Sequence, residues 1–481
     1  MAFVNNVMII RRDVISRMAE LYKEDRLFEN IDRIPIEISN RLNGNERCCV
    51  HKMRAVVKYK TMAILGFGRE DEKDELDNLA FYAKKALKRE QIASDFLIVA
   101  DEACTSCVKA NYVVTNLCKG CIAQPCMNNC PKKAITRSAD GKAFIHPKGC
   151  VNCGICKDLC PYHSIIYMPV PCEESCPVGA ITKDENGFEI IDEGKCILCG
   201  KCVNACPFGS ILETTELFEI MNLLKQKMPV TAIVAPSIFG QYRAEAGNVI
   251  DALYKLGFTN VVEAAEGAMS TTQLESEELI HNLDSGKEFM TTSCCPSWVL
   301  AAQKHIPEIL PFVSNTPSPM AISARKCKEQ LPAQPLVFIG PCLAKRKEGR
   351  DNPDIDWVMT FEELACLLTG WNISVVECDN IEVDKQVDQQ SRNYCLSGGV
   401  AAAVQSKIGD GITAQVINGL DKKQLRLLSS YAKSKKSAGQ LIEVMTCEGG
   451  CISGPCSHEF PKDAKRFFVQ NTEKICSCSD E

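Results

Sequence analysis

Cysteine is the most reactive residue type in this sequence, with 30 cysteines and only six histidines among 481 residues. Two runs, CVNCGICKDLCP and CILCGKCVNACP, share the spacing C-x2-C-x2-C-x3-C-P. In bacterial ferredoxins this spacing holds one [4Fe-4S] cluster with three cysteines, and the fourth cysteine binds the other cluster of a pair. Zinc sites use paired C-x2-C knuckles instead, so the runs predict iron–sulfur clusters.

A third run, CKGCIAQPCMNNCP, is a variant with a longer second gap, and the flanking segments CTSC and PCEESCP complete a further ferredoxin pattern around it. If each pair exchanges its fourth cysteines, the spacing predicts four clusters that use all sixteen cysteines between residues 104 and 206. Two or three clusters remain the alternative. The predicted ligands are Cys118, Cys121, Cys126 and Cys160 for cluster 1; Cys150, Cys153, Cys156 and Cys130 for cluster 2; Cys104, Cys107, Cys172 and Cys206 for cluster 3; and Cys196, Cys199, Cys202 and Cys176 for cluster 4.

Such an array moves single electrons over a distance, so it needs a site that makes or consumes them. Three cysteine motifs follow short apolar runs in the C-terminal half: EFMTTSCCPSW, PLVFIGPCLAKRKE and LIEVMTCEGGCISG. Because ligands bind at the carboxyl ends of strands in α/β sheets, the three loops can converge. They offer Cys294 or Cys295 together with Cys342, Cys447 and Cys451. Adjacent side chains on an extended segment point in opposite directions, so Cys294 and Cys295 are not expected to bind the same iron.

The three motifs resemble those of the [FeFe]-hydrogenases, whose usual forms are TSCCPGW, MPCxxKxxE and MxCxxGC. The resemblance covers roughly residues 230–460. It implies an enzyme that interconverts H2 with protons and electrons, at a cubane joined through one cysteine sulfur to a diiron unit with CO, cyanide and a bridging dithiolate amine. By position, Cys295, Cys342, Cys447 and Cys451 are the implied cubane ligands, and Cys451 is the implied bridge.

The resemblance also implies contacts to the diiron unit. Lys345 would donate to one cyanide ligand and Ser237 to the other, while Met445 would pack beside the diiron bridge. In isolation, Lys345 would be interpreted as a surface lysine. The implied cofactor-binding residues are Ala235, Pro236, Ser237, Pro341, Lys345 and Met445.

A proton route is implied beside this site. A free thiol has a pKa near 8.5, so Cys294 would be mostly protonated yet able to exchange its proton. Glu275 and Glu278 are three residues apart and share a face if the segment is helical. Alone they would be solvated carboxylates, but by position they match relay glutamates, and Ser314 matches the relay serine. The expected order is Cys294, Glu278, Ser314 and Glu275, with Glu348 as a further matched acid.

Three departures from the usual motifs are expected to reshape the pocket. Gly340 stands where methionine is usual, and Ser297 replaces a glycine. The glycine-rich end of the third motif is replaced by Ser453-Gly454-Pro455-Cys456. The pattern therefore favours one of the less-studied branches of the family.

The elements that must position these residues divide the chain into three parts. Residues 1–100 are predicted to be mostly helical, residues 101–212 to form α+β ferredoxin-like domains, and residues 213–481 to form an α/β catalytic domain with parallel sheets. The last prediction rests on apolar runs that alternate with amphipathic stretches. Cys48 and Cys49 are interpreted as structural, and Cys327, Cys366, Cys378, Cys395, Cys476 and Cys478 as structural or without a matched role.

The amino-acid composition limits the kinds of partner that the protein is expected to bind. A net charge of −6 gives no basic footprint for nucleic acid. No apolar run approaches the roughly 18 residues that span a bilayer, and charges interrupt the N-terminal apolar residues, so a cytoplasmic location is expected. The expected partners are H2, protons, a ferredoxin-like electron carrier and maturation enzymes for the diiron unit. The rival functions are an H2 sensor with slow turnover and a non-catalytic iron–sulfur assembly protein that lacks the diiron unit.

Overall fold

The computed structural model describes residues 5–39, 49–88, 95–105, 107, 111–409 and 411–477. The interpretations of Cys48 and Cys478 lie outside these residues, as does the side chain of Cys476.

The N-terminal part is helical. Asn5 caps the first helix by accepting a hydrogen bond from the Met8 amide at 2.9 Å, and Asn78 caps the fifth in the same way from the Phe81 amide at 3.0 Å. The helices are α1 (Asn6–Lys23), α2 (Leu27–Asn30), α3 (Ile34–Ile38), α4 (Val50–Ile64) and α5 (Leu79–Ala86).

Residues 97–213 form two nested modules, each built from two antiparallel ribbons. The inner module, residues 111–168, pairs β2 with β5 and β3 with β4, and the outer module pairs β1 with β8 and β6 with β7 around it. The elements are β1 (Leu97–Val99), β2 (Asn111–Val114), α6 (Pro125–Asn128), β3 (Ile135–Arg137), β4 (Ala143–Ile145), α7 (Ile155–Asp158), β5 (Ile165–Met168), α8 (Pro171–Ser175), β6 (Ile181–Lys183), β7 (Glu189–Ile191), α9 (Lys201–Ala205) and β8 (Ile211–Glu213).

The C-terminal part contains two parallel sheets with helices around them. One sheet has the strand order β10-β9-β12-β13 and the other β11-β15-β14. The elements are α10 (Leu217–Lys225), β9 (Thr231–Val234), α11 (Ala246–Leu256), β10 (Asn260–Glu263), α12 (Ala264–Asp284), β11 (Met290–Thr291), α13 (Pro296–His305), α14 (Pro319–Gln330), β12 (Leu336–Gly340), α15 (Ala344–Asp351), β13 (Trp357–Thr360), α16 (Phe361–Gly370), α17 (Gln389–Arg392), α18 (Gly399–Ile408), β14 (Ala414–Asn418), α19 (Lys422–Ser434), β15 (Leu441–Met445) and α20 (Pro461–Ser477).

The strands β9, β12 and β15 are mostly apolar, as expected for parallel strands that are covered on both faces. Every residue of β9, β12 and β15 is buried. Short 3-10 turns follow several strands and carry site residues, notably Pro236–Gly240 after β9 and Cys451–Ser453 after β15.

The N-terminal helices share one apolar core with the four-stranded sheet. Helix α1 lies against α16 at a close approach, since a Cβ on Gly370 would lie 2.4 Å from the Ser16 carbonyl oxygen. Trp371 donates its indole N–H to the Ala19 carbonyl at 3.1 Å. Arg11 of α1 pairs with Glu362 at 2.9 Å in the same interface. Helix α1 is therefore an integral part of the C-terminal core.

The prediction of an α/β fold with parallel sheets, preceded by small antiparallel modules and helices, is confirmed. The domain boundaries at residues 100 and 212 stay a prediction. In the described residues, no helix combines the length and apolarity that crossing a membrane requires.

Candidate iron–sulfur array and active site

The inner module brings together the cysteines predicted for clusters 1 and 2. In the β2–β5 ribbon Val114 pairs with Ile165, which brings the loop before Cys118 beside the loop after Cys160. Two small cavities lie within the module, one beside each predicted set of four cysteines. The first is lined by Cys118, Cys121, Cys126 and Cys160, and the second by Cys130, Cys150, Cys153 and Cys156.

The outer module repeats this arrangement for clusters 3 and 4. Pairing of Val99 with Ile211 in the β1–β8 ribbon brings the segment that leads to Cys104 beside the segment that leaves Cys206. Burial raises the pKa of the Cys172 thiol to about 12, and the neighbouring Glu189 and Cys206 add to the effect.

The four cysteines of cluster 4 influence one another in the same way. Burial raises the pKa of Cys202, with further contributions from the nearby thiols of Cys199, Cys196 and Cys176. A bare thiolate is disfavoured where water cannot solvate it, whereas a cationic iron core reverses that preference. The donor chemistry therefore fits metal-bound thiolates.

Cluster 4 lies next to the C-terminal site. The nearby Cys199 contributes to the raised pKa of Cys447. A Cβ on Gly200 would lie 2.6 Å from the Pro455 Cβ. Asn204 donates its side-chain amide to the Pro455 carbonyl at 3.0 Å, and Lys304 donates to the Cys196 carbonyl at 2.7 Å. These contacts fix the cluster 4 loop against the C-terminal part.

The three C-terminal motifs converge as expected for loops at the carboxyl ends of parallel strands. Cys295 precedes α13 as its N-cap residue, Cys342 follows β12, and Cys447 follows β15. Burial and the neighbouring Cys295 raise the pKa of Cys342 to about 12. Burial also raises the pKa of Cys451, with contributions from Cys295 and Cys342. The four predicted cubane ligands thus share one buried site.

These cysteines are not arranged around a single ion. Each ligand of a cubane binds a different iron, so the ligands stand farther apart than those of one metal ion. In the part of the chain that the structure describes, no three histidine, cysteine or acidic side chains come close enough to hold one ion.

Polar groups around the four cysteines also fit a bound group. The Ser237 hydroxyl is fully buried and has no hydrogen-bond partner among the described residues. A buried hydroxyl of this kind normally has a partner, so its orientation suits a donor to a ligand. Ser237 is placed by Ala235 and Pro236, which lead from β9 into its 3-10 turn.

Lys345 is mostly shielded from solvent, which contradicts the alternative of a surface lysine. Its side chain is 12% exposed and donates to Glu348 at 2.7 Å and to Ser318 at 3.0 Å. Burial alone would lower its pKa, but the charge and hydrogen bond of Glu348 outweigh burial and raise it. The sequence predicts Glu348 as a further matched acid, and in the structure it contacts Lys345 and Ser318.

The loop around Cys451 depends on glycine. Gly450 has φ +94°, and a Cβ there would lie 2.5 Å from the Cys395 carbonyl oxygen. Gly454 approaches Pro341 equally closely, since its Cβ would lie 2.5 Å from the Pro341 carbonyl oxygen. A larger residue at either position would displace the loop.

Cys294 lies beside the predicted ligands, against an apolar cluster. Cys294 and Cys451 contact a buried cluster that contains Met445, Tyr394 and Ala268. Burial, with the neighbouring Glu275 and the other site thiols, holds the pKa of Cys294 well above its ordinary value. The thiol is therefore protonated at neutral pH and can donate.

Glu275 is the acid nearest to Cys294. It is fully buried on α12 and accepts a hydrogen bond from the Ser293 amide at 3.3 Å. Burial raises its pKa to about 7, so it can take or give a proton near neutral pH.

Ser314 and Glu278 continue outward from Glu275. The Ser314 hydroxyl donates to Glu278 at 2.7 Å. It also interacts with the Glu275 carboxylate, and this interaction lowers the pKa of Glu275 slightly against the effect of burial. Glu278 is partly exposed, and donors from Ser314, Asn315 and Thr316 outweigh its burial and lower its pKa. The predicted order from Cys294 through Glu278 to Glu275 is wrong: Glu275 is the inner acid, because its helix position faces the core.

Sequence reasoning missed two polar groups beside the site. Glu443 is fully buried on β15 and accepts hydrogen bonds from the Gly398 and Ala401 amides at 2.7 and 2.8 Å, at the N-terminus of α18. The Tyr394 hydroxyl lies 2.8 Å from that of Thr272. The single glutamate in the apolar run LIEVM could have indicated a buried carboxylate with hydrogen-bond partners, because buried strands rarely carry an unpartnered charge.

The departures from the usual motifs have structural counterparts. The ring of Phe338 fills the space beside Gly340, where a Cβ would lie 2.7 Å from it. The Ser297 hydroxyl is buried without a hydrogen-bond partner among the described residues. Pro455 forms the contact with Gly200 described above.

Comparison with known proteins places these features in a family. Residues 228–455 match the model of the iron only hydrogenase large subunit, C-terminal domain, and residues 189–212 match a 4Fe-4S binding domain. These matches, with the converging cysteine loops, support an iron-only hydrogenase-like protein with a ferredoxin-like iron–sulfur region.

Its relatives include enzymes and assembly factors. The chain is 27% identical over 274 residues to iron hydrogenase 1 of Clostridium pasteurianum, covering 47% of this chain and 48% of that protein. It is 30% identical over 181 residues to the cytosolic Fe-S cluster assembly factor NAR1 of Meyerozyma guilliermondii, covering 31% and 34%. The chain spans about half the length of the curated hydrogenases it matches.

A solved [FeFe]-hydrogenase from Chlamydomonas reinhardtii aligns with 50% of this chain and 84% of its own, at 20% identity and a TM-score of 0.41.

Proposed function

We propose that this protein interconverts H2 with protons and electrons. The observation that carries the proposal is a chain of proton-exchanging groups, Cys294, Glu275, Ser314 and Glu278, that begins beside the four clustered thiols and ends at the partly exposed Glu278. An iron–sulfur scaffold has no need of such a route. When bound, the cubane and diiron unit would supply the centre at which H2 is formed or split.

The chain's own residues would hold that group and move the proton. Cys295, Cys342, Cys447 and Cys451 would bind the cubane, and Cys451 would bridge to the diiron unit. Ser237 and Lys345 would donate to its cyanide ligands, and Met445 would exclude water beside its bridge. These donors hold and tune a metal centre in the manner of outer-shell partners.

Electrons would pass between this site and a ferredoxin-like carrier through the four clusters. The cysteines predicted for cluster 4 lie beside the site. The inner module, which would hold clusters 1 and 2, would form the other end of the array. Residues 111–168 contain seven lysines and arginines and two aspartates, a formal charge of +5 in a chain of −6. Such a module favours an acidic one-electron carrier, because complementary charge steers association.

The carrier site can be tested by charge reversal. Lys132 and Lys133 are both exposed beside the cluster 2 ligand Cys130. Lys132→Glu combined with Lys133→Glu should raise the KM for an acidic ferredoxin about tenfold at low salt, with little change for a small artificial donor. Lys422→Glu and Lys423→Glu, on exposed α19, serve as the matched control. An unchanged KM places the carrier elsewhere.

The decisive experiment for the function is an infrared spectrum of protein matured by the enzymes that build the diiron unit. Bands of CO and cyanide, with H2 turnover, are expected for the wild type. Cys451→Ala should lose both while the accessory cluster signals persist. Cys395→Ala, at a buried thiol adjacent to Cys451, should retain them. Bands that survive Cys451→Ala would assign the bridge to another residue, and a wild type without bands would refute the proposal.

A non-catalytic role in iron–sulfur assembly is the second candidate, because of the identity with NAR1. This role requires iron–sulfur clusters but no diiron unit. A wild type that binds clusters, shows no CO or cyanide bands and passes clusters to an apoprotein would favour it. For either role we place the protein in the cytoplasm, where the thiols would stay reduced.

A further inference from the structure

The N-terminal helices carry a buried lysine into the iron–sulfur region. Lys60 on α4 is 5% exposed and donates to the Gly209 carbonyl at 2.9 Å. Among the described residues, no carboxylate oxygen lies within 4.0 Å of its Nζ. Lys58, two residues earlier, is paired with Glu72 at 2.6 Å.

A buried ammonium without a carboxylate is costly, because it loses its hydration without gaining an opposite charge. Burial lowers the pKa of Lys60 to about 8, and Arg11 adds to this effect, whereas Cys206 and Glu362 oppose it. Lys60 is therefore a buried cation whose hydrogen-bond acceptor, the Gly209 carbonyl, is neutral.

The segment that Lys60 touches carries a predicted ligand of cluster 3. Gly209 lies three residues after Cys206, and the Ser210 hydroxyl is 3.1 Å from the Cys206 sulfur. Gly209 has φ +60°, and a Cβ there would lie 3.0 Å from the Lys60 Nζ and 2.4 Å from Val7 of α1. This close approach requires glycine and brings two N-terminal helices onto the ligand loop.

Among the described residues, Lys60 and Lys183 both lie near cysteines predicted for cluster 3, and they differ in how their charge is balanced. Lys183 lies near Cys107, but it pairs directly with Glu189. The positive charge of Lys183 is therefore largely cancelled, whereas that of Lys60 is not.

We infer that Lys60 is the counter-ion of cluster 3, so that the N-terminal helices set the reduction potential of that cluster. The inference rests on the proposed ligation of cluster 3. Four thiolates leave a [4Fe-4S] cluster anionic, and reduction adds one more negative charge. A fixed positive charge in a medium of low dielectric constant stabilises the more negative state and so raises the potential.

The test is a redox titration of the reconstituted full-length protein, followed by electron paramagnetic resonance. Lys60→Met should lower the midpoint potential of one accessory cluster, so that its reduced-to-oxidised ratio at the wild-type midpoint falls about tenfold, or about 59 mV. Lys60→Gln keeps a donor for Gly209 without the charge and should give the same shift. Lys58→Met, on the same helix, should leave every midpoint unchanged.

The shifted cluster can be identified with Cys172→Ser, which should remove the signal of cluster 3. The signal that shifts in Lys60→Gln should be the one absent from Cys172→Ser. Unchanged midpoints in Lys60→Gln, with all clusters present, overturn the role of Lys60. If Cys172→Ser removes none of the cluster signals seen in the wild type, the predicted ligation of cluster 3 is wrong instead.

Discussion

Adjacent cysteines at the start of α13 illustrate how backbone direction separates two roles. Cys295 is buried and lies near the other predicted ligands, whereas Cys294 lies near Met445, Tyr394 and the inner acid Glu275. The side chains of consecutive residues in an extended segment point in opposite directions. One motif can therefore direct one cysteine toward a metal and the other toward a proton-exchanging group.

Cys294→Ala should therefore retain every cluster and a nearly unchanged infrared pattern but reduce H2 turnover at least about a hundredfold, since positioned proton transfer contributes about 10²–10⁴ in rate. Cys294→Asp, which restores a proton carrier, should recover part of the activity. A fully active alanine variant would mean that protons enter by another route. Loss of the diiron unit would mean that the two cysteine roles are exchanged.

Glu275 gives a prediction about stability and pH. Its pKa of about 7 in the folded chain exceeds the ordinary value of 4.5. The contribution of Glu275 to the free energy of unfolding is therefore fully present below pH 4.5, and it is lost as the pH rises through 7. Glu275→Gln cannot ionise, so relative to wild type its free energy of unfolding should rise by about 3 kcal/mol between pH 5 and pH 8.

Urea unfolding of protein without the diiron unit at the two pH values would measure this difference. Glu278→Gln is the control, because the pKa of Glu278 is lowered and its favourable contribution is already present above pH 5. Equal pH trends for wild type and Glu275→Gln would show that Glu275 is ionised throughout.

At the scale of elements, the contact between the loop predicted to hold cluster 4 and the C-terminal motif would, under the proposed function, set the path of electrons to the site. Gly200 has φ +70° and lies against Pro455, so the two cluster-bearing loops meet without intervening side chains. The replacement of the usual glycine-rich segment by Ser453-Gly454-Pro455-Cys456 provides one half of this contact.

Gly200→Ala should separate these loops, because its Cβ would overlap the Pro455 ring and the left-handed conformation disfavours alanine. Turnover with a protein electron carrier should fall several-fold, while turnover with a small donor that reaches the site directly should be retained. Gly179→Ala is the control: it also has positive φ, but no heavy atom lies within 4 Å of its Cβ. Equal effects of both variants would attribute the loss to backbone strain alone.

At the scale of the molecule, the two nested modules imply a definite iron content. Five cubanes and one diiron unit require about 22 irons per chain, at four irons per cubane. Iron analysis after reconstitution and maturation should approach that value. A value near 14 would leave only two accessory clusters and contradict the assignment of the nested pairs.

Local spacing by itself determined the ferredoxin-like runs, the α/β class of the C-terminal part and the three cysteine motifs. These features follow from short-range geometry: three cysteines on one tight loop, or an apolar strand that leads directly into a loop. The nested pairing of the first and last cysteines could also be proposed from spacing, and the β1–β8 register is consistent with it.

Only the tertiary structure decided the order of Glu275 and Glu278, the shielding of Lys345 from solvent, and the placement of the N-terminal helices. Glu275 and Glu278 share a helix, and which of them faces the core depends on what packs against α12. Lys60 and Gly209 are 149 residues apart, so nothing in the local sequence of either residue indicates their contact. Charge pairing and burial arise from contacts between distant segments, whereas cysteine spacing encodes metal ligation within a single loop.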